Sequence, residues 1–487
     1  MGDVSASARI VRNSTYLTLA YIVQKLLSFG FFVYYSRTID YLNTGKFVFA
    51  VSFTAIFGIL VDLGLNPVLI REIARFKERA QTYLSSVLLV KSFLALIGYG
   101  AIVLVINLLD YPNDTRQLVY LAGIVMVLES FTLTIFAVFR GFQNFKYEAI
   151  GTIIFQIMVM ATGVVGLILT NQVIVLGYAV IIGAASNFLF ALWNLFRRTA
   201  VRLKLFYDRS TIFQLLKTAW PFFIAGVFTK LYAYIDIVLL SIISGESYVG
   251  WYSVAYKLTY AIQFFPIAVS NSLYPAFSKF FLDSKERLSG LFEQSSFFML
   301  GVSLPIALGV SFMAQPIVTN PHLWPSYLES VPALRISILG LPFIFISFIC
   351  SSLLNACNRQ KINTINIGIA LLINTVANFL LIPAYQHVGA SIAALAGSIV
   401  LSSLGLSWVY RINPYSIKKI LVKLSQGLLA SIIMLIPIYF LRASLSIFSL
   451  IPLSVISYLV VYFLVGGYKI SDLRLIAGVL LKKNQGV

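Results

Sequence analysis

Fourteen apolar runs, each about twenty residues or longer and separated by short basic breaks, constrain this chain more than any other feature. A helix rising about 1.5 Å per residue needs about 20 residues to cross a hydrocarbon core roughly 30 Å thick. The runs lie near 14–36, 44–65, 82–108, 117–139, 148–169, 173–195, 219–243, 248–273, 292–315, 333–355, 362–383, 387–409, 420–441 and 447–466. They predict an all-α integral membrane protein with fourteen transmembrane helices and no long soluble domain. Composition agrees: 59% of residues are hydrophobic and only 11% are charged, against roughly 25% charged in soluble domains. The first run follows Arg9 and Arg12 and has no small-residue cleavage site after it, so it is expected to stay as a span. In the tail 469–487, Ile470, Leu473, Ile476 and Leu480 recur at helical spacing near Lys482 and Lys483. That is the pattern of a short amphipathic helix on a membrane surface.

The formal net charge is +19, but the basic residues form no soluble basic module, which argues against nucleic acid as a partner. With the N-terminus in the cytoplasm, 27 of the 36 lysines and arginines fall on that side. Arg37, Lys46, Arg116, Arg335 and Arg442 fall at or near outer ends, and four lysines fall within runs. This asymmetry places both termini in the cytoplasm of a cell-membrane protein.

The chain also repeats itself. Lys25 and Gly45 are spaced as Lys230 and Gly250 are, and the same offset of 205 carries Phe47 onto Tyr252 and Ala50 onto Ala255. Later, Lys146 maps onto Lys361 and Trp193 onto Trp408 at an offset of 215. Both six-run halves start on the same side, so the repeats are parallel, an arrangement known from transporters that rock two bundles about a cavity. The expected domains are 1–210, its repeat 211–415, and two added helices with the tail in 416–487.

No phosphate-cradling G-x-x-x-x-G-K-[ST] loop is present, so ATP hydrolysis is not expected. His322 and His387 are the only histidines, far apart and without a cysteine nearby, so neither a metal nor another cofactor is expected. Cys350 and Cys357 lie seven apart in one run, about 10 Å along a straight helix and too far to bridge. No catalytic triad or carboxylate pair can be assembled, so the chain reads as a transporter rather than an enzyme.

Ionisable residues at membrane depth mark functional sites by default. Lys25, Lys91, Lys230 and Lys257 lie near the middle of their runs, with Glu129 and Asp236 also deep and Asp62 nearer an end. Lys230 and Tyr234 share a helix face, as do Lys257, Tyr260 and Phe264, whereas Asp236 is rotated away. A cavity lined by Lys25, Lys230 and Lys257 would attract an anionic group such as a diphosphate and repel organic cations. Tyr16, Tyr21, Tyr232, Tyr234, Trp251, Tyr252, Tyr256 and Tyr260 suit either sugar stacking or ordinary packing and interfacial anchoring. Lys91, Glu129 and Asp236 allow two readings: coupling residues, or structural ion pairs such as Lys91 with Glu129.

Several breaks carry a family resemblance. Asp62-Leu-Gly-Leu-Asn-Pro-Val-Leu-Ile-Arg71-Glu72-Ile-Ala-Arg75 resembles the D-x-G…R-E-x-A-R turn of the prokaryotic polysaccharide, or O-antigen-type, flippases. Tyr248-Val-Gly-Trp-Tyr-Ser-Val-Ala-Tyr-Lys257 resembles their V-G-x-Y-x-x-A-x-[KR] entry to the eighth span, and Ser272-Leu-Tyr-Pro275-Ala-Phe-Ser-Lys279 is similar to its exit. Asn355-Ala-Cys-Asn-Arg359-Gln-Lys361 resembles their N-A-x-[GN]-[RK]-x-K break. Those flippases belong to the multidrug/oligosaccharidyl-lipid/polysaccharide exporter superfamily. The resemblance implies a V-shaped pair of six-helix bundles working by alternating access on a polyprenyl-diphosphate-linked glycan. It makes Lys25, Lys230 and Lys257, with Tyr234 and Tyr260, the substrate-binding set. Asp62, Arg71, Glu72, Lys91, Glu129 and Asp236 become gating or coupling residues, with Arg71, Glu72 and Arg75 alternatively serving as positive-side anchors. It implies a monomer in the bilayer, with a polysaccharide polymerase or glycosyltransferases as partners. The rivals are a multidrug or organic-cation exporter of the same superfamily, a membrane glycosyltransferase or polymerase, and an assembly scaffold. Four deep lysines against two deep acids disfavour the exporter, and short outer loops disfavour the enzyme.

Overall fold

The computed structural model describes residues 2–199, 201, 208–320, 323–324, 326–442 and 444–467, with side-chain surroundings from Leu17 onward other than those of Phe448. The tail at 469–487, His322 and the Tyr16 side chain lie outside that description. Every regular element among the described residues is a helix. A hydrocarbon core offers no water to unpaired backbone groups, and a helix satisfies them within one segment. Eleven of these helices are long and apolar enough to cross a membrane.

The chain divides into two compact units, Met1–Ser253 and Val254–Val487. The first holds α1 (Gly2–Thr38), α2 (Tyr41–Asp62), α3 (Leu65–Arg75), α4 (Ala80–Leu108), α5 (Asn113–Gly141), α6 (Lys146–Thr170), α7 (Ile174–Arg198), α8 (Arg209–Ser244) and the opening turns of α9 (Glu246–Ile262). In it α6 packs on α7 and α1, α5 on α7, α2 and α4, and α2 on α8. Its core gathers Leu65, Val68, Ile73, Phe136, Phe139 and Leu195. Asp208 caps α8, its carboxylate accepting from the Ser210 and Thr211 amides at 3.0 and 3.4 Å and from their hydroxyls at 2.7 and 2.6 Å. Those four donors, the Thr211 and Ser210 hydroxyls foremost, pull its pKa down to about 2.

Two glycines of the repeat meet in this unit. A Cβ on Gly45 would overlap the Glu246 carbonyl oxygen, and one on Gly250 would overlap the Tyr41 carbonyl oxygen. Tyr41 and Glu246 are themselves related by the offset of 205, so the two contacts are mutual copies. Tyr41 stacks on Trp251 beside them, ring centroids 5.0 Å apart.

The second unit holds the rest of α9, then α10 (Phe264–Asp283), α11 (Lys285–Phe312), α12 (Ala314–Val318), α13 (Ser330–Leu339), α14 (Leu341–Ala356), α15 (Gln360–Ile412), α16 (Ile417–Leu441) and α17 (Ile447–Leu464). The apolar run expected at 248–273 is broken at Gln263, between α9 and α10. Pro266 has no N–H for the Ile262 carbonyl and its ring crowds that carbonyl, so the helix stops. Phe264 opens α10 one residue later. α15 takes in two runs and bends at Gln386 (φ 48°, ψ −125°), three residues after Pro383. There His387 Nε2 lies 2.7 Å from the Glu329 carbonyl oxygen. Cys350 and Cys357 are buried and not joined.

Each unit ends one helix with arginine on tryptophan. Arg197 lies 4.9 Å from the ring centroid of Trp193, and Arg411 lies 4.9 Å from that of Trp408. The two tryptophans are the pair matched at offset 215.

Candidate functional site

The first unit carries most of the charged residues singled out from the sequence, and it sorts them into two settings. Lys230, on α8, is exposed in mid-helix, and its ammonium lies 5.6 Å from the Tyr234 ring centroid. That contact follows from their spacing of four, one turn apart on one face. Glu129 of α5 is exposed too. Lys25, on α1, is half-buried and its Nζ is shielded from solvent. Asp236 is half-buried and accepts from the Tyr252 hydroxyl at 3.5 Å.

The second setting is closed. Lys91 is 0% exposed and donates to Asp62 Oδ1 at 2.7 Å, Asn66 Oδ1 at 3.1 Å, Ser130 Oγ at 3.2 Å and the Ser130 carbonyl at 3.3 Å. Thr134 donates to the same Asn66 oxygen at 3.0 Å. A buried ammonium with four acceptors is a packing element of α2, α3, α4 and α5. Its carboxylate partner is therefore Asp62 and not Glu129, because α2 ends where Asp62 reaches α4. The chain reverses there through Leu63 (φ 46°) and Gly64 (φ 70°). A Cβ on Gly64 would stand 2.6 Å from the Phe223 nitrogen and 2.7 Å from the Ala219 oxygen, so only glycine lets α8 approach this turn. Beyond it, Arg71 and the buried Glu72 form an ion pair of 2.7 Å within α3.

Lys257 and Tyr260 belong to the second unit. Lys257 is half-buried, and Tyr260 is exposed and stacked on Tyr256 with centroids 5.9 Å apart. Among the described residues no group of three or more His, Cys, Asp or Glu side chains could hold a metal ion.

The model of the polysaccharide biosynthesis protein family matches residues 10–281, more than half of the chain. The chain belongs to this family. A second model, MatE, matches residues 221–380. The chain is 22% identical over 482 residues to an uncharacterized membrane protein of Methanocaldococcus jannaschii, covering 90% of this chain and 91% of that protein. It is 21% identical over 427 residues to a candidate O-antigen transporter of Shigella flexneri, covering 82% and 97%. Among solved structures, the lipid II flippase MurJ in an inward closed conformation matches with a TM-score of 0.77 at 17% identity, covering 94% of this chain and 99% of that one. The fold of this polysaccharide biosynthesis protein is thus that of a multi-pass membrane transporter.

One cluster of this family member escaped the sequence reading. Glu148, at the start of α6, is 1% exposed and takes Arg140 Nε on Oε2 at 2.5 Å. Its Oε1 accepts from Arg140 Nη2 and, at 2.6 Å, from the Tyr21 hydroxyl of α1. Arg140 Nη2 also reaches that hydroxyl at 3.3 Å. The readable signal was Arg140 and Glu148 flanking a short break, which a helical hairpin brings face to face. Nothing in the sequence adds Tyr21, more than a hundred residues earlier. Thr115 donating to buried Glu246 at 2.5 Å was equally hidden.

Proposed function

We propose that this chain is a flippase that carries polyprenyl-diphosphate-linked oligosaccharide across the cell membrane by alternating access. The observation that carries the reading is Lys230, an exposed cation in mid-helix whose ammonium lies 5.6 Å from the Tyr234 ring centroid. In a low-dielectric site, an ammonium attracts a diphosphate far more strongly than it does in water. Tyr234 offers the adjacent sugar a flat apolar face. The names of the relatives, a candidate O-antigen transporter and a lipid II flippase, supply the substrate class: saccharide on a lipid carrier.

On this reading the repeats 1–210 and 211–415 are the two bundles of a V, and 416–487 is the appendage. Lys25, Lys230 and Lys257 grip the diphosphate, while Tyr234 and Tyr260 meet sugar. Glu129 and Asp236 are the coupling candidates. Asp62 with Lys91, and Arg71 with Glu72, hold the helices that the gate needs rigid. The protein works as a monomer in the cytoplasmic membrane with both termini in the cytoplasm. It performs no bond chemistry and passes its cargo to a polymerase or glycosyltransferase. The MatE match supports a second reading, export of organic cations; an exposed lysine in the site opposes it.

The test is reconstitution in vesicles with a polyprenyl-diphosphate-linked sugar. Wild type should flip it, and Lys25→Ala and Lys230→Ala should lose most of that activity while remaining monodisperse. Flipping that survives both substitutions removes the lysines from the mechanism. Efflux of a cationic dye without flipping turns the reading to the exporter.

A further inference from the structure

The polar cluster of Tyr21, Glu148 and Arg140 stands one helical turn from Lys25. Tyr21 stands one helical turn before Lys25, so both side chains leave α1 on the same side. Beyond Lys25, the Phe31 ring lies over Gly163 of α6, so close that a Cβ on that glycine would overlap ring atom Cζ. Lys25 therefore sits on a stretch of α1 held to α6 at both ends, by a polar tie before it and an apolar one after it.

The polar tie is built independently of α1. Arg140 closes α5 and Glu148 opens α6, and the turn between them is fixed by the Asn144 amide donating to the Phe139 carbonyl at 2.9 Å and by Gln143 at φ 60°. Arg140 bonds both carboxylate oxygens, and the tyrosine hydroxyl adds a bond to one of them. The hairpin thus presents a formed, buried acceptor, and α1 docks its hydroxyl onto it. Sliding or rotating α1 breaks a hydrogen bond to a charged group whose carboxylate is itself buried.

We infer that Arg140, Glu148 and Tyr21 form the positioning device for Lys25, fixing the height and rotation of α1 at that lysine. That this lysine then holds the anionic group of the substrate rests on the flippase reading; the positioning itself does not.

The experiment measures thiol labelling in the full-length, reconstituted protein. A charged thiosulfonate reagent is applied to Lys25→Cys with and without Tyr21→Phe, and to Lys230→Cys with and without Tyr21→Phe. The native cysteines are both buried, and the parent protein sets the background. Lys25 Nζ is shielded in the docked state, so losing the tie should speed labelling at position 25 about tenfold and leave position 230 unchanged. Glu148→Gln, which keeps the shape and removes the charge, should act in the same direction. Unchanged labelling at 25, or an equal rise at both positions, overturns the inference, the second by showing general loosening. In the flipping assay, Tyr21→Phe should raise the apparent KM about tenfold with turnover at saturation preserved. Faster labelling at 25 with an unchanged KM overturns the substrate clause and leaves the positioning intact.

Discussion

Lys25 and Lys230 occupy matching places in the two halves of the sequence, yet their helices are held by different forces. α1 is tied by a buried carboxylate, a guanidinium and a hydroxyl. At the position matching Tyr21, α8 has Gly226, where a Cβ would overlap Ile59 of α2. The tie's other members are replaced as well. Arg140 corresponds to Asn355, and Glu148 to Asn363, which takes only a neutral hydrogen bond from Ser351 at 2.9 Å. One lysine is thus placed by charge and the other by close helix contact. A buried charged cluster resists partial displacement because breaking it strands an ion. A glycine contact is a sum of small dispersion terms and yields gradually. Of the two lysines, Lys230 is the exposed one and Lys25 is half-buried.

The comparison can be broken from its strongest side first. Arg140→Ala strands the Glu148 carboxylate at 1% exposure and should cost about 3–5 kcal/mol, read as unfolding in detergent. The matched Asn355→Ala should cost less than about 1 kcal/mol, and equal losses at the two positions would erase the contrast. Asp62→Asn leaves Lys91 fully buried without its carboxylate and should cost about 3 kcal/mol. It tests whether α2 depends on charge where α8 leans on it. Gly226→Ala forces a methyl against the Ile59 δ-carbon, the end of a flexible side chain, and should cost about 1–2 kcal/mol. A larger loss than at Arg140 would invert the ranking of the two ties.

The remaining two effects are smaller. Lys230→Ala should change stability by no more than about 0.5 kcal/mol while flipping collapses, since an exposed ammonium contributes little to folding. Asp208, capping α8, holds its pKa near 2, below its ordinary value of 3.8. Its support of α8 is therefore present above that ordinary value and fades as pH falls through about 2. The melting-temperature gap between wild type and Asp208→Ala should be full at neutral pH and close below that point. A gap independent of pH would make the cap steric instead of electrostatic.

Much of this was legible in the chain itself, and for definite reasons. Long apolar runs can only be helices in lipid, so helix order followed from spacing alone. Lys230 with Tyr234 was legible because both lie on one helix, where a spacing of four fixes a shared face. The partner of Lys91 was not, because pairing across helices depends on where α2 stops, and that is decided by Leu63 and Gly64 taking positive φ. The break at Gln263 was readable in principle from Pro266, whose missing N–H acts on the carbonyl four residues before it.

The sequence by itself determined the membrane-spanning class, the family motifs, the repeat and the depth of the charged residues, because all of these depend on order and spacing along one strand of chain. Only the tertiary structure decided which charges are buried and matched and which stay exposed. Lys91 and Lys230 look alike in the sequence, each a lysine in an apolar run. One has four acceptors brought from three other helices, and the other has an open face. Burial and pairing belong to the assembled helices, and no single helix contains them.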